Sequence, residues 1–398
     1  MDNPINSSRR SFLAALGASA ASLPIITLPG FVQAAGSKPP SGNILVLVEL
    51  SGGNDGLNTV VPVSDSAYRA LRPSLGLSKR QTLTLDTDTG LHPSMRDMAD
   101  LWDRGEMRII EGVGYPNPNR SHFRSIEIWN AGFGAASNQT DGWISTAFAN
   151  GNAPQADTAA GLVLGGDMGP LRGPGRFSSI RDEETFLETL DNLRDVQHLV
   201  RPTQKSPLEH VLATYDSAKI TGDAISKRLL RNGSRGLDFP DTDLGRQLQT
   251  ATRLLDAGVD VPVLKVVQDG YDTHEAQDDV HAFLLQELSE AVGAFSKAMK
   301  RIGLWDQVTV VTYSEFGRTA RENGSAGTDH GTAAPVMVTG GAVKGGFDGQ
   351  RVALDRLFED DLVHTTDYRS VYAALLNDLW GISAKPFTLK GSAKLQIL

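Results

Sequence analysis

The chain reads as an α/β protein, a three-layer α/β/α sandwich around a mostly parallel central sheet. Two observations predict this. Short, near-continuous apolar runs recur along the sequence, the mark of strands buried on both faces of a parallel sheet. Polar, Gly-containing loops follow most of these runs and helical patterns follow the loops, the order from which parallel sheets are built. Size agrees: 398 residues with 40% apolar and 21% charged side chains suffice for a packed core and are too apolar for a disordered chain.

Taken in order, Ser8-Arg9-Arg10-Ser11-Phe12-Leu13 opens a weakly apolar, Ala-rich stretch that ends near Val32-Gln33-Ala34, a small-residue cleavage pattern. Residues 1–34 are therefore expected to be a twin-arginine signal, read by that export machinery. Gly17, Ser19, Ser22 and Pro24 interrupt the run, which falls short of the roughly 20 apolar residues a membrane span needs. The expected product is a periplasmic or extracellular chain with no stable span, residues 35–398 forming a single domain.

Within it, residues 43–50 form the first strand, ending in Ser51-Gly52-Gly53-Asn54-Asp55-Gly56; residues 95–102 form a helix and residues 107–113 a second strand, followed by the polar loop 114–124. Residues 134–250, with Gly-Pro punctuation at 165–175 and charged helical stretches from 182 to 256, read as an insertion, cap or helical layer. Order returns at strand 261–267, which ends in Asp269-Gly270-Tyr271-Asp272-Thr273-His274. Leu284, Leu288, Val292, Phe295, Met299 and Ile302 then keep one helical face over residues 279–302. Strand 308–313 leads to Ser314-Glu315-Phe316-Gly317-Arg318, and a loop carries Thr328-Asp329-His330-Gly331 into strand 334–339. His364 precedes Thr365-Thr366-Asp367, the start of a helix over 368–380 closed by Gly381.

Composition removes several functions. A net charge of −9 opposes nucleic-acid binding. With no cysteine, disulfides, iron–sulfur clusters, thiolate zinc sites and cysteine nucleophiles are all excluded. What remains is a constellation: Asp55, Ser121, His122, Asp272, His274, Glu315, Asp329, His330 and His364 all fall in polar loops. An open sheet gathers such loops at its strands' carboxyl ends. Singly, each fits a hydrogen-bonded turn; jointly they hold four of the eight histidines. Carboxylates mixed with imidazoles suit one or two divalent ions, Zn²⁺, Mn²⁺, Mg²⁺ or Ca²⁺. Two such ions would clamp the entering and leaving oxygens of a phosphoryl or sulfuryl transfer.

The motifs Leu47-Val-Glu-Leu-Ser-Gly-Gly-Asn-Asp-Gly-Leu-Asn-Thr-Val-Val-Pro62, Leu91-His-Pro93, Asn119-Arg-Ser-His-Phe123, Asp272-Thr-His274, Ser314-Glu-Phe-Gly-Arg318 and Asp329-His-Gly331 together resemble the DUF1501 proteins. That family is commonly placed in the alkaline phosphatase/sulfatase-like superfamily, whose α/β/α sandwich holds two metal positions. The resemblance implies that Asp329 and His330 form one Asp-His metal pair, and that Asp272, His274 and His364 belong to the other position. The first acidic ligand would be Asp55 or Glu49. Ser121 stands where a hydroxyl nucleophile is expected, with His122, Arg124 or Arg318 to hold substrate oxyanions. Two departures matter. Asp272-x-His274 is tighter than the superfamily's Asp-x-x-x-His, and Ser121-His-Phe-Arg124 lacks the Pro or Ala of the sulfatase motif, so no formylglycine is expected. The implied function is an exported, metal-dependent hydrolase acting on a small-molecule or polymer phosphate ester, less so a sulfate ester. The alternative is a non-catalytic binding or assembly protein of the cell envelope.

Overall fold

β1 (Ile44–Leu50) shows why the sheet is central. All seven residues are buried, and alternate side chains feed two separate cores: Ile44, Val46, Val48 and Leu50 join one apolar cluster, Leu45 and Leu47 the other, as the period of two in a strand requires. The computed structural model describes residues 42–150, 153–180, 238–387 and 394–398, so the signal expected over residues 1–34 and, of the helical stretches expected over 182–256, the part up to residue 237 lie outside the described residues.

β2 (Val60–Val61), β3 (Leu83–Thr84) and β4 (Gly90–Leu91) form a small antiparallel sheet. The large sheet joins β1 to β5 (Met107–Gly114), β6 (Gly161–Val163), β7 (Phe177–Ser179), β8 (Val263–Gln268), β9 (Val308–Tyr313), β10 (Ala334–Gly340), β11 (Gly346–Gly349) and β12 (Thr366–Asp367). Its order is β11-β5-β10-β9-β1-β8-β6-β7, with β12 beside β5. Every pairing is parallel except the two made by β10, which is antiparallel to β9 and β5. The mostly parallel sheet expected from the apolar runs is thus present. Residues 161–163 and 177–179, expected in an insertion, instead extend the sheet beyond β8; strands of three residues are too short to show a period in sequence.

The described helices are α1 (Gly56–Thr59), α2 (Ser66–Leu71), α3 (Arg96–Asp103), α4 (His122–Ala131), α5 (Trp143–Asn150), α6 (Asp243–Asp256), α7 (Gln277–Arg301) and α8 (Tyr368–Trp380). They cover both faces. Met98 and Leu101 of α3, Leu248 and Leu254 of α6, and Leu288 and Phe295 of α7 pack into the first cluster. Ile128 and Trp129 of α4, Trp143 and Ile144 of α5, and Leu375 and Leu379 of α8 pack into the second. α8 starts where the sequence places it: the Asp367 carboxylate accepts from Arg369 N at 3.0 Å, and Gly381 ends it in the left-handed region at φ 63.

The topology sets the site. β1, β5, β8 and β9 run the same way, so the loops after them open at one edge. Because β10 runs the other way, its amino end reaches that same edge and brings residues 329–331 with it. Five segments distant in sequence therefore meet above the strand ends.

Candidate metal centre

Four side chains from three of these segments point at one place. His122, on the first turn of α4, comes from the segment after β5; Asp272 and His274 follow β8; His330 precedes β10. His330 Nε2 lies 3.0 Å from His122 Nε2, 2.9 Å from His274 Nε2 and 3.2 Å from Asp272 Oδ1. Asp272 Oδ1 lies 3.0 Å from His274 Nε2, and Asp272 Oδ2 lies 3.4 Å from His122 Nε2. Ligand atoms of His122, Asp272 and His330 all fall within 4.8 Å of one another, a spacing that fits a metal ion.

The outer ring nitrogens decide what the inner ones carry. His122 Nδ1 faces Glu315 Oε1 at 2.8 Å, His330 Nδ1 faces the Arg120 carbonyl at 2.8 Å, and His274 Nδ1 faces Asp329 Oδ1 at 3.2 Å. Each partner is an acceptor, so each Nδ1 is placed to donate, and a ring that carries its one hydrogen there turns an Nε2 lone pair inward. With the rings in that form, lone pairs and a carboxylate crowded together repel one another unless a cation sits among them. This is the pattern of histidine ligands held by carboxylate and carbonyl acceptors. Protonation states agree. Burial pushes the His330 imidazole down, while Asp272, which burial alone would raise, is held below the ordinary carboxylate range by the hydrogen bond and charge of Arg318. Both present the forms a metal binds at neutral pH. The residues present therefore fit one divalent ion: His122, Asp272 and His330 form the set with mutually close ligand atoms, His274 Nε2 stands beside it at 2.9 Å from His330 Nε2, and imidazole nitrogens with a carboxylate favour Zn²⁺ or a similar transition ion over Ca²⁺ or Mg²⁺, which take oxygen.

A buried frame holds the group. Arg318, fully buried, donates to Asp272 Oδ1 at 2.6 Å, to Gly53 O at 2.7 Å, to Tyr271 O at 2.9 Å, to Thr328 O at 3.0 Å, and to Gly52 O. Its approach explains the paired glycines: at Gly53, φ +88, a Cβ would stand 2.5 Å from the Phe316 ring and 3.2 Å from Arg318 Nε. Phe316 in turn stacks on His330 with centroids 4.8 Å apart and leans on His122 at 4.9 Å. Gln277, also fully buried, ties the two ligand loops: its Oε1 accepts from Thr273, between Asp272 and His274, at 3.0 Å, and from Thr328, just before Asp329 and His330, at 2.6 Å.

Other residues expected at the site lie elsewhere or act differently. Asp55 is outside the group: Arg72 binds both its carboxylate oxygens, at 2.6 and 3.0 Å, and Gln277 Nε2 donates to it at 2.5 Å. Desolvation pushes the Asp55 carboxyl up, and the charge and hydrogen bonds of Arg72 outweigh it, leaving the pKa at about 2. Glu49 is engaged by Lys265 at 2.8 Å and by the Tyr313 hydroxyl at 2.9 Å. Asp329 turns to His274 Nδ1 and so orients a ligand. His364 lines a neighbouring cavity with Arg120 and Asp361. Arg318 has its donors committed within the frame, and Arg124 is bonded to the Ala135 and Ser137 carbonyls and to Glu127. His122, expected to hold substrate, stands in the ligand group instead. Ser121 is exposed at the start of α4, directly before His122, and its side chain makes no capping bond.

Sequence reasoning placed Glu315 in the right loop without a role and missed Gln277, Arg72 and Phe316. Gln277 had one usable signal, a polar residue three positions after His274 at a helix start; Arg72 had none.

Several solved structures are similar at low identity. The C-terminal periplasmic domain of EcEptC from Escherichia coli, in complex with Zn, is 7% identical over 89% of this chain and 86% of that one, with a TM-score of 0.41. A protein in the alkaline phosphatase superfamily from Vibrio parahaemolyticus is 12% identical over 85% and 68%, at 0.39. A phosphonate monoester hydrolase of Agrobacterium radiobacter is 11% identical over 90% and 79%, at 0.37. No curated protein matches the chain. Residues 195–383, which carry Asp272, His274, Glu315 and His330 but not His122, match the model of the family described as "Protein of unknown function (DUF1501)".

Proposed function

We propose that the protein is an exported, metal-dependent hydrolase of phosphate esters, with His122, Asp272, His274 and His330 as ligands of a single divalent ion. One observation carries this reading: His122 and His330, each held through Nδ1, turn Nε2 toward the Asp272 carboxylate with all three ligand atoms within 4.8 Å of one another, and His274 stands beside them. Bound there, a Zn²⁺-like ion would polarise an ester oxygen and ease deprotonation of a nearby hydroxyl. Ser121 supplies that hydroxyl: its oxygen forms the new bond to phosphorus while the alcohol leaves with the proton Ser121 gives up, and water then cleaves the phosphoseryl ester and restores the hydroxyl. The Arg120 guanidinium, 40% exposed and paired on one side with Asp361 at 3.0 Å, is the nearby cation proposed to meet the remaining oxyanions. Export through the twin-arginine route belongs to this reading and rests on residues 1–34; among the described residues no helix is long and apolar enough to cross a membrane.

The test is metal analysis of the purified protein with turnover of 4-nitrophenyl phosphate. One ion per chain is expected, lost in Asp272→Asn, with hydrolysis abolished in Ser121→Ala but the ion retained. A chain that takes up no stoichiometric divalent ion ends the proposal. A second reading, an ion-dependent binding protein, is favoured by the commitment of Arg318 and Arg72 to internal partners; a bound ion with no turnover of any ester would select it.

A further inference from the structure

The segment that brings Ser121 and His122 to the metal centre is held less firmly than the strand it leaves. Tyr115 is buried, but residues 116–118, 120 and 121 are exposed, and Asn117 stands in the left-handed region at φ 55. One set of contacts ties the segment to its own start: the Tyr115 hydroxyl accepts from Asn119 N at 3.0 Å, and Asn119 Oδ1 accepts from Ser121 N at 2.8 Å. Another reaches across the fold. Arg120 Nη2 lies 3.0 Å from Asp361 Oδ2, on a side chain only 2% exposed. That carboxyl is itself bonded by Leu362 N at 2.8 Å and by Thr332. Thr332 lies two residues after His330, whose Nδ1 faces the Arg120 carbonyl at 2.8 Å, so the contacts close a ring from His330 through Thr332, Asp361 and Arg120 back to His330. Burial pushes the Asp361 carboxyl up to about 6 in spite of Leu362 N, Arg120 and Thr332. A carboxyl that holds its proton more tightly in the fold than in the unfolded chain costs the fold stability when it ionises at neutral pH. What the charge supplies there is its hold on Arg120.

We propose that Asp361 is a positioning residue for the metal centre: by holding the Arg120 guanidinium from a buried site, it fixes the Arg120 carbonyl on His330 and the course of the chain into Ser121 and His122. Its effect on His330 stands on the contacts alone, and its effect on Ser121 rests on the hydrolase reading. Asp361 touches neither the ligands nor the Ser121 hydroxyl and acts on both through Arg120.

Asp361→Asn tests this, since it keeps the size of the side chain and an oxygen for Leu362 N and gives up the charge that holds Arg120. On the whole chain as purified, hydrogen exchange of the peptide 116–121 should quicken about fivefold or more, while the urea midpoint at pH 7 stays level or rises because a buried charge is gone. Zinc affinity, by competition with a chromophoric chelator, should fall about fivefold, less than for a group bonded to a ligand directly. With zinc saturating, kcat for 4-nitrophenyl phosphate should fall about tenfold as Ser121 loses its place, with KM within about threefold of wild type. Arg120→Ala should quicken the same exchange, and adding Asp361→Asn to it should change neither exchange nor zinc affinity further. A urea midpoint that falls in step with these losses would make Asp361 a purely structural residue and overturn the proposal. Unchanged exchange, zinc affinity or kcat in Asp361→Asn, or losses that add in the double variant, would overturn it as well. If wild type turns over no phosphate ester, the hydrolase reading and the role at Ser121 fail together, and exchange and zinc affinity still decide the role at His330.

Discussion

Gln277 is the residue whose replacement should separate holding the metal loops together from merely filling space. Its side chain makes three buried bonds: it accepts from Thr273 and Thr328 hydroxyls at 3.0 and 2.6 Å and donates to Asp55 at 2.5 Å. Gln277→Leu keeps the volume and removes all three. Asp55 retains Arg72, so its charge stays paired. The Thr328 hydroxyl makes no other hydrogen bond among the described residues, and Thr273 keeps only the longer contact to Tyr271 O at 3.4 Å. At about 1–3 kcal/mol for each unsatisfied buried donor, the fold should lose roughly 2–4 kcal/mol. The loss falls between the ligands themselves, since Thr273 separates Asp272 from His274 and Thr328 lies two residues before His330. Zinc affinity should therefore drop about 10- to 100-fold, as for other groups that orient ligands from behind. Urea unfolding in the presence of a chelator reads the first number and zinc competition with a chromophoric chelator reads the second. If stability falls as stated while zinc affinity stays within twofold of wild type, Gln277 does not couple the loops and the frame argument fails.

Glu315→Gln keeps a hydrogen-bonding side chain behind His122 but removes the charge that fixes its tautomer; zinc affinity should fall about tenfold, read by the same competition. Gly53→Ala puts a Cβ at φ +88 against Phe316 and Arg318; expect about 1–2 kcal/mol of backbone strain and a shifted visible spectrum of the Co²⁺-substituted protein as Phe316 moves off His330. Acid should destabilise the apo protein. Burial pushes the His92 imidazole down to about 4 and the His281 imidazole to about 3. Below pH 6.5 the unfolded chain binds protons there that the folded one refuses, so this stability is whole above 6.5 and is lost as pH falls toward 4. Asp361, pushed up to about 6 by burial, acts in the opposite sense, adding stability as pH falls through 6. At pH 5 the two histidines cost about 2 kcal/mol each and Asp361 returns about 1, a net loss near 3 kcal/mol relative to pH 7. A urea midpoint unchanged between those pH values would contradict this.

The elements that sequence revealed are those whose own side chains announce them. β1, β9 and β10 carry apolar runs long enough to be seen, and α7 holds Leu284, Leu288, Val292, Phe295 and Met299 on one face. β6 and β7, three residues each, are strands only because β8 offers an edge to β6 and β6 offers one to β7. The antiparallel course of β10 was equally hidden, since an apolar run has no direction; yet it is this reversal that delivers His330 to the carboxyl ends of the other strands.

The same distinction runs through the site. Loop position identified which residues could reach the strand ends, but not which would be consumed on arrival. Every carboxylate there needs a cation or donors, and the nearest one wins. Asp55 meets Arg72 and Glu49 meets Lys265, both buried, where an unpaired charge would be far costlier than at the surface. Asp272, Asp329 and Glu315 meet imidazoles instead. Asp272 reaches the Nε2 side together with Arg318, while the other two reach the Nδ1 side. Which side of a ring a carboxylate reaches makes it a ligand or a support, and that depends on a few ångströms of loop path that neither spacing nor residue type encodes.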